Sequence, residues 1–337
     1  MRYETQKKDT HKNDTHKNGE RESPNQNHKE IPGNPSTATT SEIKLNDRSN
    51  GKPLRVLSEE DWKFWIHNGY IVIKNAISRE EAEKTADFIW EFEEKDKNDQ
   101  STWYTQARAE IEMKELAGTG MVEVYNNQAL WNNRQKQRVY DAFADVWGTE
   151  KLWVTIDRAN LNFPIQPGFE YKGFIHWDYD PETKPQNVQG VLALCDQTDE
   201  NMGGFQCIPE LYRNYDTWKL SQPKDRDAFQ PDIAGLEEHV VKVKLEAGDL
   251  LIFNSTEPHG IRPNRSDDKV RIAQYISMMP AEEDNEELRA WRVNSWDKRI
   301  APSGYAFPGD PRNLEQTKYP RATLNELGEK LLGLKKW

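Results

Sequence analysis

The chain has 337 residues, with 57 acidic against 46 basic side chains, a net charge of −11 and only 35% hydrophobic residues. No run of about 18 apolar residues occurs, which excludes a helical membrane span. The acidic balance, without any block of Lys and Arg, argues against a nucleic-acid groove or an anionic membrane surface. Two cysteines, Cys195 and Cys207, make neither a disulfide framework nor a zinc knuckle, so a reducing, cytoplasmic setting is expected.

Residues 1–53 are nearly devoid of aliphatic and aromatic side chains and carry a tandem repeat, Asp9-Thr10-His11-Lys12-Asn13 and Asp14-Thr15-His16-Lys17-Asn18. Such a stretch buries too little apolar surface to offset its ordering entropy, and it reads as a disordered polar tail. Residues 54–337 then read as one domain. Ser58 with Asp61 forms a capping box for a helix that Gly69 ends, and Tyr70–Ile73 reads as a strand. Ser78 with Glu81 opens a second helix, which buries Ala82, Ala86, Phe88, Ile89 and Phe92. A further helix is expected over Gln128–Trp147.

From Leu152 the texture changes to strands: Leu152–Asn162, Tyr171–Asp178, Val188–Cys195, His239–Leu245, Leu250–Phe253 and Val270–Met278. Helices followed by many short strands predict an α+β fold built on a sandwich or barrel. No glycine-rich phosphate loop opens a helix, so a nucleotide fold is not expected. Tyr212–Leu236, with Gln222-Pro223-Lys224-Asp225, reads as a loop that lids the mouth of the domain.

Four histidines lie beyond the tail. His67 and His239 read as helix-end and strand residues. His176-Trp177-Asp178 on a strand puts His176 and Asp178 on one face and Trp177 on the other. With His259 as a third ligand, these residues make the 2-His-1-carboxylate set that holds non-haem Fe(II) and leaves positions open. The breaker-rich turn Pro263–Asp268 predicts a hairpin centred near Arg265, which would set Arg271 opposite His259 on the same face. A guanidinium there would grip the far carboxylate of a dicarboxylate such as 2-oxoglutarate. Arg158, Asn160 and Gln189 are further candidates for contact with cosubstrate or substrate, Arg158 through a hairpin between the first two strands. Asp180, followed by Pro181, reads as a turn cap. Cys195 and Cys207 read as small core hydrophobes.

Gly173-Phe174-Ile175-His176-Trp177-Asp178, Gly203-Gly204-Phe205-Gln206-Cys207-Ile208-Pro209, Gly248–Phe253 and His259-Gly260 together resemble the phytanoyl-CoA dioxygenase family, from about Leu57 to Pro280. The resemblance implies a double-stranded β-helix, a jelly-roll or cupin-like barrel, flanked by N-terminal helices. It also implies an oxygenase dependent on Fe(II) and 2-oxoglutarate, with His176, Asp178 and His259 as iron ligands and Arg271 as the 2-oxoglutarate anchor. Hydroxylation of a C–H bond of a small molecule, with release of succinate and CO2, is the reaction it favours over halogenation, since halogenating relatives lack the carboxylate found here at Asp178; desaturation and ring closure are the other outcomes this chemistry allows. Two departures stand out. Pro209-Glu210-Leu211-Tyr212 replaces the family's Pro-Gly-x-His ending, and Ile272-Ala273 follows Arg271 without an Arg-x-Ser pairing. The acidic domain disfavours a coenzyme-A thioester as substrate. The alternatives are a non-catalytic binding module on the same fold and a zinc hydrolase, for which no His-Glu-x-x-His helix is present.

Overall fold

The computed structural model describes residues 42–105, 111, 113–302 and 307–337. It begins with α1 (Glu59–Asn68), β1 (Tyr70–Ile73) and α2 (Arg79–Phe92). Both capping boxes form. Ser58 and Ser78 accept from the amides of Asp61 and Glu81, and each acid accepts in return from its cap residue's amide. These elements match the sequence because each is decided within one helical turn. There follow α3 (Lys114–Thr119), β2 (Met121–Val122), α4 (Gln128–Arg134), α5 (Gln137–Trp147), β3 (Leu152–Val154), β4 (Ala159–Asn162), β5 (Val188–Ala193) and β6 (Met202–Cys207). The chain continues through α6 (Pro209–Trp218), β7 (Val241–Lys242), β8 (Leu250–Asn254), β9 (His259–Asn264), β10 (Arg271–Tyr275) and β11 (Met278–Pro280). It finishes in α7 (Glu286–Lys298), α8 (Leu314–Thr317) and α9 (Glu326–Leu332).

The strands pair antiparallel in a six-stranded sheet of order β1-β8-β5-β10-β4-β2, a three-stranded sheet β7-β6-β9 and a pair β11-β3. Alternation along each strand of the large sheet divides its side chains between two cores. Ile71, Ile73, Val188, Leu192, Leu250, Ile252 and Ile272 pack under α2, α4 and α5. Val191, Ala193, Leu251, Phe253 and Ala273 instead face Phe205 and Cys207 of the small sheet. Each fully buried aliphatic or aromatic side chain of this size stabilises the fold by about 1.5–3 kcal/mol. The fold is thus the expected helix-flanked double-stranded β-helix, with two facing sheets that do not close into a barrel, and with helices at its C-terminal end as well. Among the described residues no helix is long and apolar enough to cross a membrane.

The long expected segments break. The helix over 128–147 is interrupted at Gln135-Lys136, and Leu152–Asn162 divides into β3 and β4, which belong to different sheets. Val270–Met278 divides likewise into β10 and β11, and His239 lies in a 3-10 turn rather than a strand. Tyr171–Asp178 forms no strand. Its sheet-like contact among the described residues is one isolated bridge from His176 to His259. Gly173, at φ 79°, turns the backbone out of the extended region, and its neighbour across the gap is Pro263, which has no amide to donate.

Neither expected hairpin exists. β9 pairs with β6, placing His259 opposite Cys207, whereas β10 lies between β4 and β5 and sets Arg271 opposite Asn162. With both edges of β10 occupied, β9 cannot pair with it, and the Pro263–Asp268 turn carries the chain from one sheet to the other.

Contacts with the core also occur before residue 54. Ile43 and Leu45 pack against the core. The Asn46 amide donates to the Val146 carbonyl at 3.0 Å, and its side chain accepts from the Trp65 indole at 2.6 Å. Two apolar residues in an otherwise polar stretch suffice to dock it. A truncation removing residues 1–50 should therefore melt about 3–6 °C below one removing residues 1–41. Equal melting temperatures would restore the boundary at 54.

Candidate metal centre

His259 opens β9 and is buried, with side-chain exposure of 9%. Its ring stacks on Phe205 at 5.7 Å and tilts against Phe253 at 4.4 Å, so its plane is fixed by packing. Its Nδ1 lies 3.0 Å from the Glu257 carbonyl, an acceptor, so Nδ1 carries the proton and Nε2 presents a lone pair. The His176 amide donates to the His259 carbonyl at 2.8 Å, and the His259 amide donates back at 3.0 Å. This bridge brings the two imidazoles to 4.6 Å. It requires Gly260, since a β-carbon there would lie 1.7 Å from the Phe174 carbonyl oxygen.

Asp178, two residues from His176, completes the group. Its carboxylate oxygens lie 3.1 Å from His176 Nε2 and 3.4 Å from His259 Nε2. Burial by itself raises this carboxyl, but the two imidazoles outweigh it and hold the group well below the usual carboxylate range. Donor atoms of His176, Asp178 and His259 all fall within 4.8 Å of one another, a set that could hold a metal ion. The side chains of His176 and Asp178 remain 21% and 27% exposed. One side of the group is thus walled by protein and the other is open. Two imidazoles and one carboxylate, with open positions opposite, fit Fe(II) by donor chemistry and geometry.

Gln189 was a candidate for cosubstrate contact. On β5 it faces the space between the sheets, and its amide donates to Asp178 Oδ2. It therefore orients a metal-ligand candidate. Arg158 and Asn160 part company. Arg158 is ion-paired with Glu123 and lies over the Phe307 ring at 4.6 Å, so its charge is satisfied away from the proposed cosubstrate. Asn160 accepts from Arg271 Nη1 at 2.8 Å and donates to the Thr119 carbonyl at 3.1 Å. Its carbonyl oxygen is thereby engaged by Arg271.

Arg271 is buried, at 1% exposure. Its Nε donates to Gln197 at 3.0 Å, while Nη2 has no hydrogen-bond partner among the described residues. Among the described residues none of its nitrogens meets a carboxylate. On β10 it shares a face with Ala273, which packs in the inter-sheet core with Phe205 and Phe253, the two rings that hold His259. The hairpin was the wrong reason for placing Arg271 beside the ligands, but strand parity brings it into the same interior. A buried guanidinium held by two neutral amides, with an unpaired nitrogen left over, fits the far carboxylate of 2-oxoglutarate.

A family model described as phytanoyl-CoA dioxygenase (PhyH) matches residues 65–273. The chain belongs to the phytanoyl-CoA dioxygenase family. The enzymes of this family use Fe(II) and 2-oxoglutarate, and the chain carries residues fitted to both. The Ava biosynthesis cluster protein O of Aspergillus versicolor is 28% identical over 243 residues, covering 65% of this chain and 77% of that protein. A Dictyostelium discoideum protein that carries the phytanoyl-CoA dioxygenase name is 25% identical over 319 residues, covering 81% of this chain and 86% of its own. The crystal structure of hypothetical protein JW0805 from Escherichia coli is similar with a TM-score of 0.60 at 18% identity, covering 85% and 87% of the two chains. That likeness is one of fold.

Neither Gln197 nor Glu257 carries a sequence signal for these roles. Gln197 lies in a loop between strands, and Glu257 serves His259 through its backbone carbonyl. Burial pushes the Glu257 carboxyl itself well above its usual range. Replacing Gln189 by Ala should weaken metal binding about 10-fold by freeing Asp178 to rotate. Competition against a chromophoric chelator measures this, and unchanged affinity would show that Asp178 needs no such support.

Proposed function

We propose that this protein is an Fe(II)- and 2-oxoglutarate-dependent dioxygenase that hydroxylates a C–H bond of a small molecule. The convergence of His176, Asp178 and His259 in one interior with the uncompensated Arg271 carries this reading. When bound, iron and cosubstrate supply the oxidising chemistry: 2-oxoglutarate and O2 become succinate and CO2, with one oxygen atom in succinate and the other in the hydroxylated product.

The chain's own residues have separate tasks. The two imidazoles and the carboxylate hold the metal from one side, leaving the opposite side to the reactants. Arg271 fixes the cosubstrate by its far carboxylate, kept in place by Gln197 and Asn160. Phe205 and Phe253 exclude water from the buried flank of His259. Asp178 occupies the position that halogenating relatives leave to halide, which favours hydroxylation. A relative named for a biosynthesis cluster supports a small-molecule substrate. The two unpaired cysteines suit a cytoplasmic enzyme.

The test is succinate release from the iron-loaded protein across a panel of small molecules. His176→Ala should abolish it, and Arg271→Gln should raise the half-saturating 2-oxoglutarate concentration about 10–100-fold through loss of a charge-assisted bond. Folded, iron-loaded protein that binds 2-oxoglutarate but never yields succinate would instead be a binding module.

A further inference from the structure

The His176–Asp178 segment has to be held accurately, yet it has no strand pairing beyond one bridge. Among the described residues His176 Nδ1 is buried without a hydrogen-bond partner; Phe174 packs on the ring at 4.8 Å, but no hydrogen bond at Nδ1 orients this imidazole as the Glu257 carbonyl orients His259. The ring therefore goes where its backbone goes. The residue between the two ligand candidates supplies the missing hold.

Trp177 points away from the metal centre and is 1% exposed. Its backbone amide donates to the Phe229 carbonyl at 2.8 Å. Its indole nitrogen donates to the Thr256 carbonyl at 3.0 Å. Thr256 precedes Glu257, whose carbonyl accepts from His259 Nδ1. Adjacent carbonyls of one turn thus hold the His176–Asp178 segment through Trp177 and the His259 ring directly. That turn is itself tightened by Asn254, whose side chain accepts from the Thr256 amide at 2.9 Å and hydroxyl at 2.8 Å. Around the indole, Tyr215 and Trp218 of α6 stand edge-on at 5.6 and 5.8 Å, and Ile208 and Leu211 fill the same small core. Ile233, Leu236 and Val240 close it from the far side.

We propose that Trp177 is a positioning residue for the metal centre, and that through it the segment between β6 and β7 is coupled to metal occupancy. The inference rests on the metal-centre reading and deepens it. The segment expected to lid the mouth packs around Trp177, the residue between the two ligand candidates. Because coupling between binding and ordering is reciprocal, filling the centre should tighten the clamp, and loosening the clamp should weaken the centre.

Two measurements on the full chain test this. The first is hydrogen exchange of wild-type protein with and without Co(II), used as an air-stable metal probe. Residues 222–240 contribute no ligand candidate, yet their amides should exchange at least several-fold more slowly with metal bound; unchanged rates would overturn the coupling. The second is Co(II) affinity of Trp177→Phe, which keeps an aromatic ring and loses the indole donor. Affinity should fall about 10-fold, with metal-free melting close to wild type. Wild-type affinity in Trp177→Phe would reduce Trp177 to core packing. Should that variant fail to fold, the exchange experiment alone decides. Absence of Co(II) binding by wild type, or binding that His176→Ala leaves unchanged, would defeat the metal-centre reading itself, an outcome distinct from a bound metal that leaves residues 222–240 unaffected.

Discussion

Two backbone hydrogen bonds between His176 and His259 join a loop to the edge of the small sheet, and the chemistry of the molecule depends on that joint. Without it the His176–Asp178 segment would keep no backbone pairing to a sheet among the described residues, and only side-chain contacts such as Gln189 to Asp178 would remain. The close approach is possible only at a glycine, and Gly260 is that residue. An isolated bridge is worth little by itself, about 1 kcal/mol per hydrogen bond after exchange with water. It persists because packing of Phe205 and Phe253 on one flank and of Trp177 on the other leaves the two segments nowhere else to go.

Electrostatics then distinguishes the two ends of the interior. At one end a carboxylate lies between two imidazoles; at the other a buried guanidinium has, among the described residues, only amide oxygens as partners. A buried cation without a counter-charge costs several kcal/mol, a cost structures usually remove by pairing. Arg158 shows the usual solution two residues before Asn160, through Glu123. That Arg271 is left without one, in the same interior as a metal-ligating set, is what a dicarboxylate cosubstrate would relieve.

Much of this was legible in the sequence where the cause is local. The capping boxes at Ser58 and Ser78 and the strand Tyr70–Ile73 depend on neighbours within a few residues, and they form as read. His176, Asp178 and His259 were legible by residue type and by the parity of His-x-Asp. Pairing partners were not. A turn as rich in breakers as Pro263–Asp268 suggests a hairpin, but β4 and β5 had already taken both edges of β10. Arg158 and Gln189 were read as facing a ligand, and each found a protein partner, Glu123 and Asp178, that only tertiary structure brings near. Residues 42–53 were read as tail because two apolar side chains are a weak signal until a surface exists to receive them. The roles of Thr256 and Glu257 rest on backbone carbonyls, which any residue could supply, so their identity carries no signal.

The most direct measurement of the central claim is visible absorption during anaerobic addition of Fe(II) and then 2-oxoglutarate to the purified protein. A weak charge-transfer band should appear only when both are present, vanish in His176→Ala and fade in Arg271→Ala. Folded protein that binds Fe(II) and 2-oxoglutarate without producing the band, or that produces it undiminished in both variants, would contradict the assignment of these residues to one centre.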